Sequence, residues 1–437
     1  MKRDGLILLL AAYATAWFLV VRLPGDILRS PIAGSDLSSY YTAGYLARTG
    51  QAAHLYDVGP GDTILGDATE GPWRAAGDAL QVERQHYYIY PPFFALAAAP
   101  LSLLSFDAAR TVWMLMDLSL LGLFFWIYLT WRSDDGVPAQ PLEIGLIAVT
   151  LGLEFLPLIW ALAIGQTSLL LLALVSGTLL LAKRGNQGAA GLLLGLAAAI
   201  KLTPALLVIY FALRGRARLA AWASAFFLLA NLGAVAALGA GVNLKFYTEI
   251  VPMMSGGTAY FLNQSLAGTL SRIAGGGDVK QVTLEASPVI KWVASLAGIL
   301  LLGITAWTIR AVSRRWGARR PEGLLLDLEF SCVLLLTLVL SPISWSHYYL
   351  LAVVPLYTIV AAAARTGRRS LALAAAAGVA WLLIARKPHV ELFAEGYSRI
   401  ALSAAMFGAL MLWVSCLVLI VWRGDPSLPN AGVARAA

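Results

Sequence analysis

The chain is short of charge. Of its 437 residues only 13% are Asp, Glu, Lys or Arg, against roughly 25% in a soluble globular chain. That scarcity excludes a water-soluble enzyme. Cysteine is nearly missing too. Cys332 and Cys416 each lie inside an apolar run with no partner nearby in sequence. A disulfide framework and a metal motif are therefore not expected, and both read as small buried apolar residues. No glycine-rich phosphate loop or nucleotide motif appears, and no internal repeat of the kind that builds inverted transporter halves is visible.

What is present is hydrophobic sequence: 59% of the residues, with a mean hydropathy of +0.75. Runs such as LILLLAAYATAWFLVV and FGALMLWVSCLVLIVW approach the roughly 20 apolar residues that cross a hydrocarbon core. They are continuous rather than alternating, which selects helices over a transmembrane barrel. The opening MKRDG with a full-length span reads as a retained signal anchor. The expectation is one all-α polytopic membrane domain, residues 1–437, of about twelve transmembrane helices.

The net charge of +8 does not point to nucleic acid. The basic residues concentrate in short loops, AKRGNQ, LRGRARL, SRRWGARR and RTGRR, which places those loops and both termini in the cytoplasm. The first span, about 6–22, then runs outward. Two long external loops follow from the same parity, 23–90 and 241–289, and a short cytoplasmic tail, 424–437. The segment PPFFALAAAPLSLLSF is short and proline-rich, and reads as interfacial or re-entrant. KLTP at 201–204 reads as a break between two short helices, because Pro204 disfavours helix before it.

Six polar motifs fall on the external side: GSDLSSYY, QHYYIYPP, IGQTS, KLTP, FLNQSLAGTLSRI and LSPISWSHYYLL. Their convergence predicts one assembled cavity. Each also has a plainer reading. Asp36 sits where a helix N-cap would, His347 and most tyrosines and tryptophans suit an interfacial belt, and Lys201 suits a snorkelling lysine. The NQS at 263–265 matches a glycosylation pattern, and reads as a polar turn. Taken together the motifs fit a sharper chemistry. An external carboxylate, Asp36, serves as general base toward a hydroxyl. The cations His347 and Lys201 hold a phosphate. A lipid phosphate bearing a sugar needs both, and its phosphate is a good leaving group. A single carboxylate then suffices, unlike the pair that glycosidases need.

The stretches GSDLSSYYTAGYLARTGQAAHLYD, YPPFFALAAAPLSLL, GQTSLLLLALV, GLLLGLAAAIKLTPALLVIYFALRGR and LSPISWSHYYLLAVVPL resemble, in order, glycosyltransferase family 87. These are bacterial polyprenol-phosphate-sugar-dependent enzymes of the C-type superfamily. The best-known members are mannosyltransferases that extend phosphatidylinositol mannosides. The resemblance implies a C-type glycosyltransferase-like fold with external loop helices, and an inverting transfer without metal or cofactor. It places Asp36 at the family's catalytic aspartate and His347 at its late-turn histidine, and Lys201 matches a further family element. Tyr40, Tyr41, Tyr88, Tyr90, Gln166, Asn263, Gln264 and Trp345 are expected to meet substrate. The partners implied are a polyprenyl-phosphate sugar donor, a glycolipid or glycan acceptor and membrane lipids, at the external face of a bacterial plasma membrane. The competing reading is a transporter or lipid-linked-sugar flippase, which would use the intramembrane carboxylates Asp117 and Glu154. A non-catalytic envelope scaffold is a third.

Overall fold

The computed structural model describes residues 3–134, 141–152, 155–275, 277–284, 287–316, 323–363 and 370–423. Glu154, the basic residues Arg319, Arg320, Arg365, Arg368 and Arg369, and the tail from 424 lie outside the described residues. Every extended element among those described is helical, as backbone in lipid requires.

Helix α1 (Arg3–Trp17) runs directly into a wider π-helical stretch, Phe18–Leu28, with Pro24 inside it. The first long loop then folds into α2 (Ser35–Arg48) and α3 (Gly71–Ala79) and ends at the short α4 (Pro92–Ala98). A long α5 (Phe106–Asp134) follows, then α6 (Pro141–Gly152), α7 (Leu156–Ile164) and α8 (Ser168–Lys183). Next come α9 (Gln187–Ile200), α10 (Ala205–Leu213) and α11 (Ala217–Leu238). The second long loop holds α12 (Ala240–Lys245), α13 (Val251–Met254) and α14 (Leu266–Ile273). The last five are α15 (Pro288–Trp316), α16 (Leu324–Val339), α17 (Val353–Ala363), α18 (Ser370–Ala385) and α19 (Ala404–Arg423).

Among the described residues five helices are long and apolar enough to cross a membrane, and a sixth counts if α7 and α8 form one broken span. Twelve crossings would need the shorter apolar helices as well. The apolar runs are cut at the polar motifs. Between α7 and α8 the chain bends by 118° at Gly165, whose φ of +72° only glycine adopts freely. Between α9 and α10 it breaks at KLTP, as expected. The segment 92–103 is a short apolar helix, not a full span.

Burial divides the helices. All of α17, and all of α16 but its first residue Leu324, are buried, so these two form the central column. By contrast α15 exposes Val289, Trp292, Leu296, Ile299, Leu300 and Trp307, an apolar face suited to lipid. Small residues let neighbours close up. A Cβ on Gly191 or Gly195 of α9 would come within 2.5 or 2.4 Å of carbonyl oxygens of Leu219 and Ala223 on α11.

At the end with the short basic loops, α16 supplies two buried carboxylates that sequence reading did not single out. Asp327 accepts from Lys183 Nζ at 3.0 Å and from Trp131 Nε1 at 2.9 Å. Glu329 accepts from Arg214 Nε at 2.8 Å and Tyr210 OH at 3.0 Å. A third clasp joins Arg132 and Tyr128 of α5 to Glu143 of α6, at 2.8 and 2.7 Å.

Candidate active site

The opposite end, built from the two long loops, holds a cavity of about 440 Å³. Asp36 reaches it from the first turn of α2. Gly34 starts that helix with φ +74° and no side-chain cap, and its N–H donates to Ala163 O at 2.8 Å. Asp36 is therefore not the N-cap. Its carboxylate lies by the helix N-terminus, where the backbone dipole favours an anion. Gly165 packs against the back of α2, and a Cβ there would stand 2.8 Å from Leu37 Cβ.

Both carboxylate oxygens of Asp36 are held. His86 Nδ1 lies 2.8 Å from Oδ1, and Gln166 Nε2 donates to Oδ2. Gln166 is fixed in turn. Its Oε1 accepts from Tyr90 OH at 3.2 Å and from Thr167 N at 3.1 Å, and Tyr90 OH meets Tyr40 OH at 3.0 Å. A hydrogen-bonded chain thus runs Tyr40, Tyr90, Gln166, Asp36. Burial alone would raise the Asp36 pKa. The bond and charge of His86, the charge of His347 and the Gln166 bond outweigh it and hold the group below its ordinary value.

His347 enters from the turn before α17. Asn263 and Trp345 form one of two isolated β-bridges among the described residues. Ser346 N also donates to Leu262 O, and Gln264 N to Ser344 O, which ties the turn to the second long loop. His347 lines the cavity, and its Nε2 is buried with no hydrogen-bond partner among the described residues.

Of the residues expected from sequence, Asp36, Tyr40, Tyr90, Gln166, Trp345 and His347 line this cavity. Lys201 stands behind it. Its Nζ lies 2.8 Å from the centre of the Tyr348 ring and 5.9 Å from that of Tyr90, and it lines a separate small recess with Thr203 and Ser344. Four expected substrate contacts fall elsewhere, because their polar atoms serve the scaffold. Tyr41 OH donates to Leu104 O and Tyr88 OH to Pro91 O, both at 2.7 Å. Asn263 Nδ2 donates to Thr258 O at 2.9 Å while its Oδ1 accepts from Ser344 N at 2.9 Å. Gln264 Nε2 donates to Leu402 O at 2.7 Å and its Oε1 accepts from Ala405 N at 3.1 Å.

Sequence reading missed His86, Asp67, Arg84 and Lys387, all of which line the cavity. The other isolated β-bridge pairs Asp67 with His86. His86 had a signal: it is one of only four histidines and stands inside the QHYYIYPP motif. Asp67 had none, because its loop carries no local pattern. Asp117 is buried in α5, away from the cavity, so the carboxylate of the transporter reading does not join the assembled site.

A bundle of long apolar helices with a polar, carboxylate-bearing cavity at one end fits a membrane enzyme. The chain belongs to glycosyltransferase family 87, whose family model matches residues 88–342. It is similar to two enzymes described as polyprenol-phosphate-mannose-dependent α-(1-2)-phosphatidylinositol mannoside mannosyltransferases. The one from Mycobacterium tuberculosis is 31% identical over 351 residues, 76% of this chain and 75% of the relative. The one from Mycolicibacterium smegmatis is 31% identical over 369 residues, 80% and 78% of the two chains. A phosphatidylinositol pentamannoside mannosyltransferase of M. tuberculosis is 28% identical over 312 residues, 69% of this chain and 66% of the relative. No solved structure matches.

Proposed function

We propose that this glycosyltransferase moves a hexose, mannose by analogy with its relatives, from a polyprenyl-phosphate donor to a hydroxyl of a glycolipid acceptor. The acceptor class suggested by the relatives is a phosphatidylinositol mannoside. The chain sits in a bacterial plasma membrane with about twelve crossings, both termini cytoplasmic and the cavity on the external face. The reaction is one inverting displacement. The acceptor oxygen attacks the anomeric carbon, its proton passes to Asp36, and the bond from carbon to phosphate oxygen breaks with its electron pair leaving on the phosphate. The buried Nε2 of His347 is available to that phosphate. Lys201, one ring behind, is the second group assigned to that phosphate.

The observation that carries this reading is Asp36 itself. It is an ionised carboxylate aimed into a cavity, with both oxygens fixed and a free imidazole nitrogen on the same wall. A strongly raised pKa is not required of it, because the acceptor hydroxyl becomes acidic as its oxygen bonds to the electron-poor anomeric carbon.

The test uses purified protein in lipid nanodiscs, wild type beside Asp36→Asn. Each is given polyprenyl-phosphate mannose and phosphatidylinositol mannoside, and lipids one hexose heavier are sought by mass spectrometry. Product from wild type and none from D36N is expected. Substantial product from a folded D36N protein removes Asp36 as the base.

A further inference from the structure

The ring of His86 is held between two carboxylates that lie far apart in sequence. Nδ1 is 2.8 Å from Asp36 Oδ1, and Nε2 is 2.8 Å from Asp67 Oδ1. Its backbone is pinned to the same helix as the base, because His86 N donates to Ser38 Oγ at 3.2 Å. Asp67 is also kept in place, since Arg84 Nε donates to its Oδ1 at 3.1 Å.

We propose that His86 is the positioning residue of the transfer reaction: by donating from both ring nitrogens at once it fixes the direction of the Asp36 carboxylate, and it does so only while doubly protonated. This rests on Asp36 being the base. A neutral imidazole has one donor and one lone pair. Its lone pair would face a carboxylate at 2.8 Å, so one of the two contacts must open and Asp36 would gain a rotation. Misplacing a reacting group by about 1 Å costs on the order of 10²-fold in rate.

The charged groups facing the ring are Asp36 from α2 and Asp67 and Arg84 from the loop beside it; the titratable ring of His347, from the turn before α17, lies next to Asp36. Burial disfavours the charged ring. The hydrogen bonds and charges of Asp36 and Asp67 outweigh burial and raise the His86 pKa to about 9. Asp67 is held down to about 2, first by the bond to His86 and then, against burial, by Arg84. Below about pH 9 the clamp is closed. As pH rises through that value the ring loses its second proton, the clamp opens, and turnover falls.

The experiment measures initial transfer rates between pH 6 and 10.5 with polyprenyl-phosphate mannose and phosphatidylinositol mannoside, on wild type, His86→Gln, Asp67→Asn and D36N in nanodiscs. Wild type should lose rate with an apparent pKa near 9. Asp67→Asn removes one of the two carboxylates that hold the proton, so its alkaline limb should move at least one unit toward neutrality. His86→Gln should lower kcat about 10–100-fold, leave the donor KM within twofold, and lose the limb. Nitrogen NMR of histidine-labelled protein follows the same ring without substrate, its signal assigned by its loss in H86Q. Superimposable profiles for wild type and D67N overturn the proposal, and so does an H86Q protein with wild-type kcat. If H86Q misfolds, D67N and the NMR titration decide alone. A folded D36N protein with substantial activity sinks the base assignment, and His86 with it. An inactive D36N with an unmoved D67N limb sinks only His86.

Discussion

The two polar ends of the bundle hold their charges in opposite ways. At the basic-loop end each buried carboxylate is closed off. Asp327 has Lys183 and Trp131, Glu329 has Arg214 and Tyr210, and Glu143 has Arg132 and Tyr128. None of these groups lines the cavity at the loop end. At the loop end Asp36 and His347 open onto about 440 Å³ of space, and His347 Nε2 is left without a partner. Closed clasps of this kind hold helices in register; open ones receive a ligand. On the proposed function, one chain thus separates the charges that fold it from the charges that work.

The largest expected effect breaks that separation at its centre. Asp36→Asn should cut transfer by about 10³-fold, within the range for a lost general base, with a fall in melting temperature well below that of the clasp variant. At the other end Glu329→Ala takes from Arg214 Nε and Tyr210 OH their buried acceptor. Removing one member of a buried pair costs about 3–5 kcal/mol. E329A should therefore melt far lower, while the surviving folded protein turns over within twofold of wild type. Thermal unfolding and specific activity on the same samples decide it. A D36N protein that unfolds, or a folded E329A protein that is inactive, would abolish the distinction between the ends.

Next in size is His347→Ala, expected to lower kcat about 10²-fold or somewhat more, as loss of one donor to a developing anion does. The acceptor KM should hold. A rise in KM with kcat intact would recast His347 as a binding group.

How much of this was legible depends on how local each signal was. The breaks at IGQTS and KLTP were readable because glycine and proline act on their own backbone. Asp36 and His347 were readable because each stands in a compact polar motif between apolar runs. The clasp carboxylates Asp327 and Glu329 were not singled out. They lie at the start of an apolar helix, and their partners are over 100 residues away in sequence. Asp67 was invisible because its loop carries no local pattern: only the fold, through the β-bridge and the contact with the His86 ring, gives it a role. The tyrosines show the converse error. Tyr40, Tyr41, Tyr88 and Tyr90 look alike in sequence, and only the fold separates the two on the cavity from the two that bond to backbone carbonyls. Helix length alone gives five or six spans among the described residues, because apolar helices such as α9 and α18 fall short of a full crossing.

That tyrosine pair gives the smallest and most discriminating test. Tyr90 OH bridges Tyr40 and Gln166, and Gln166 holds Asp36. Tyr88 OH only donates to Pro91 O. Replacing either by Phe removes one buried hydroxyl, and each loss is worth about 1 kcal/mol. The energy is similar, so the readout must differ if the wiring matters. Tyr88→Phe should lower the melting temperature slightly and leave kcat alone. Tyr90→Phe should lower kcat about 3–10-fold, since about 1 kcal/mol expressed in the transition state is a factor of roughly five, with less change in melting. Equal kcat for the two variants would mean that Gln166 holds Asp36 without help, and that the line between fold and site runs inside Tyr90 rather than outside it.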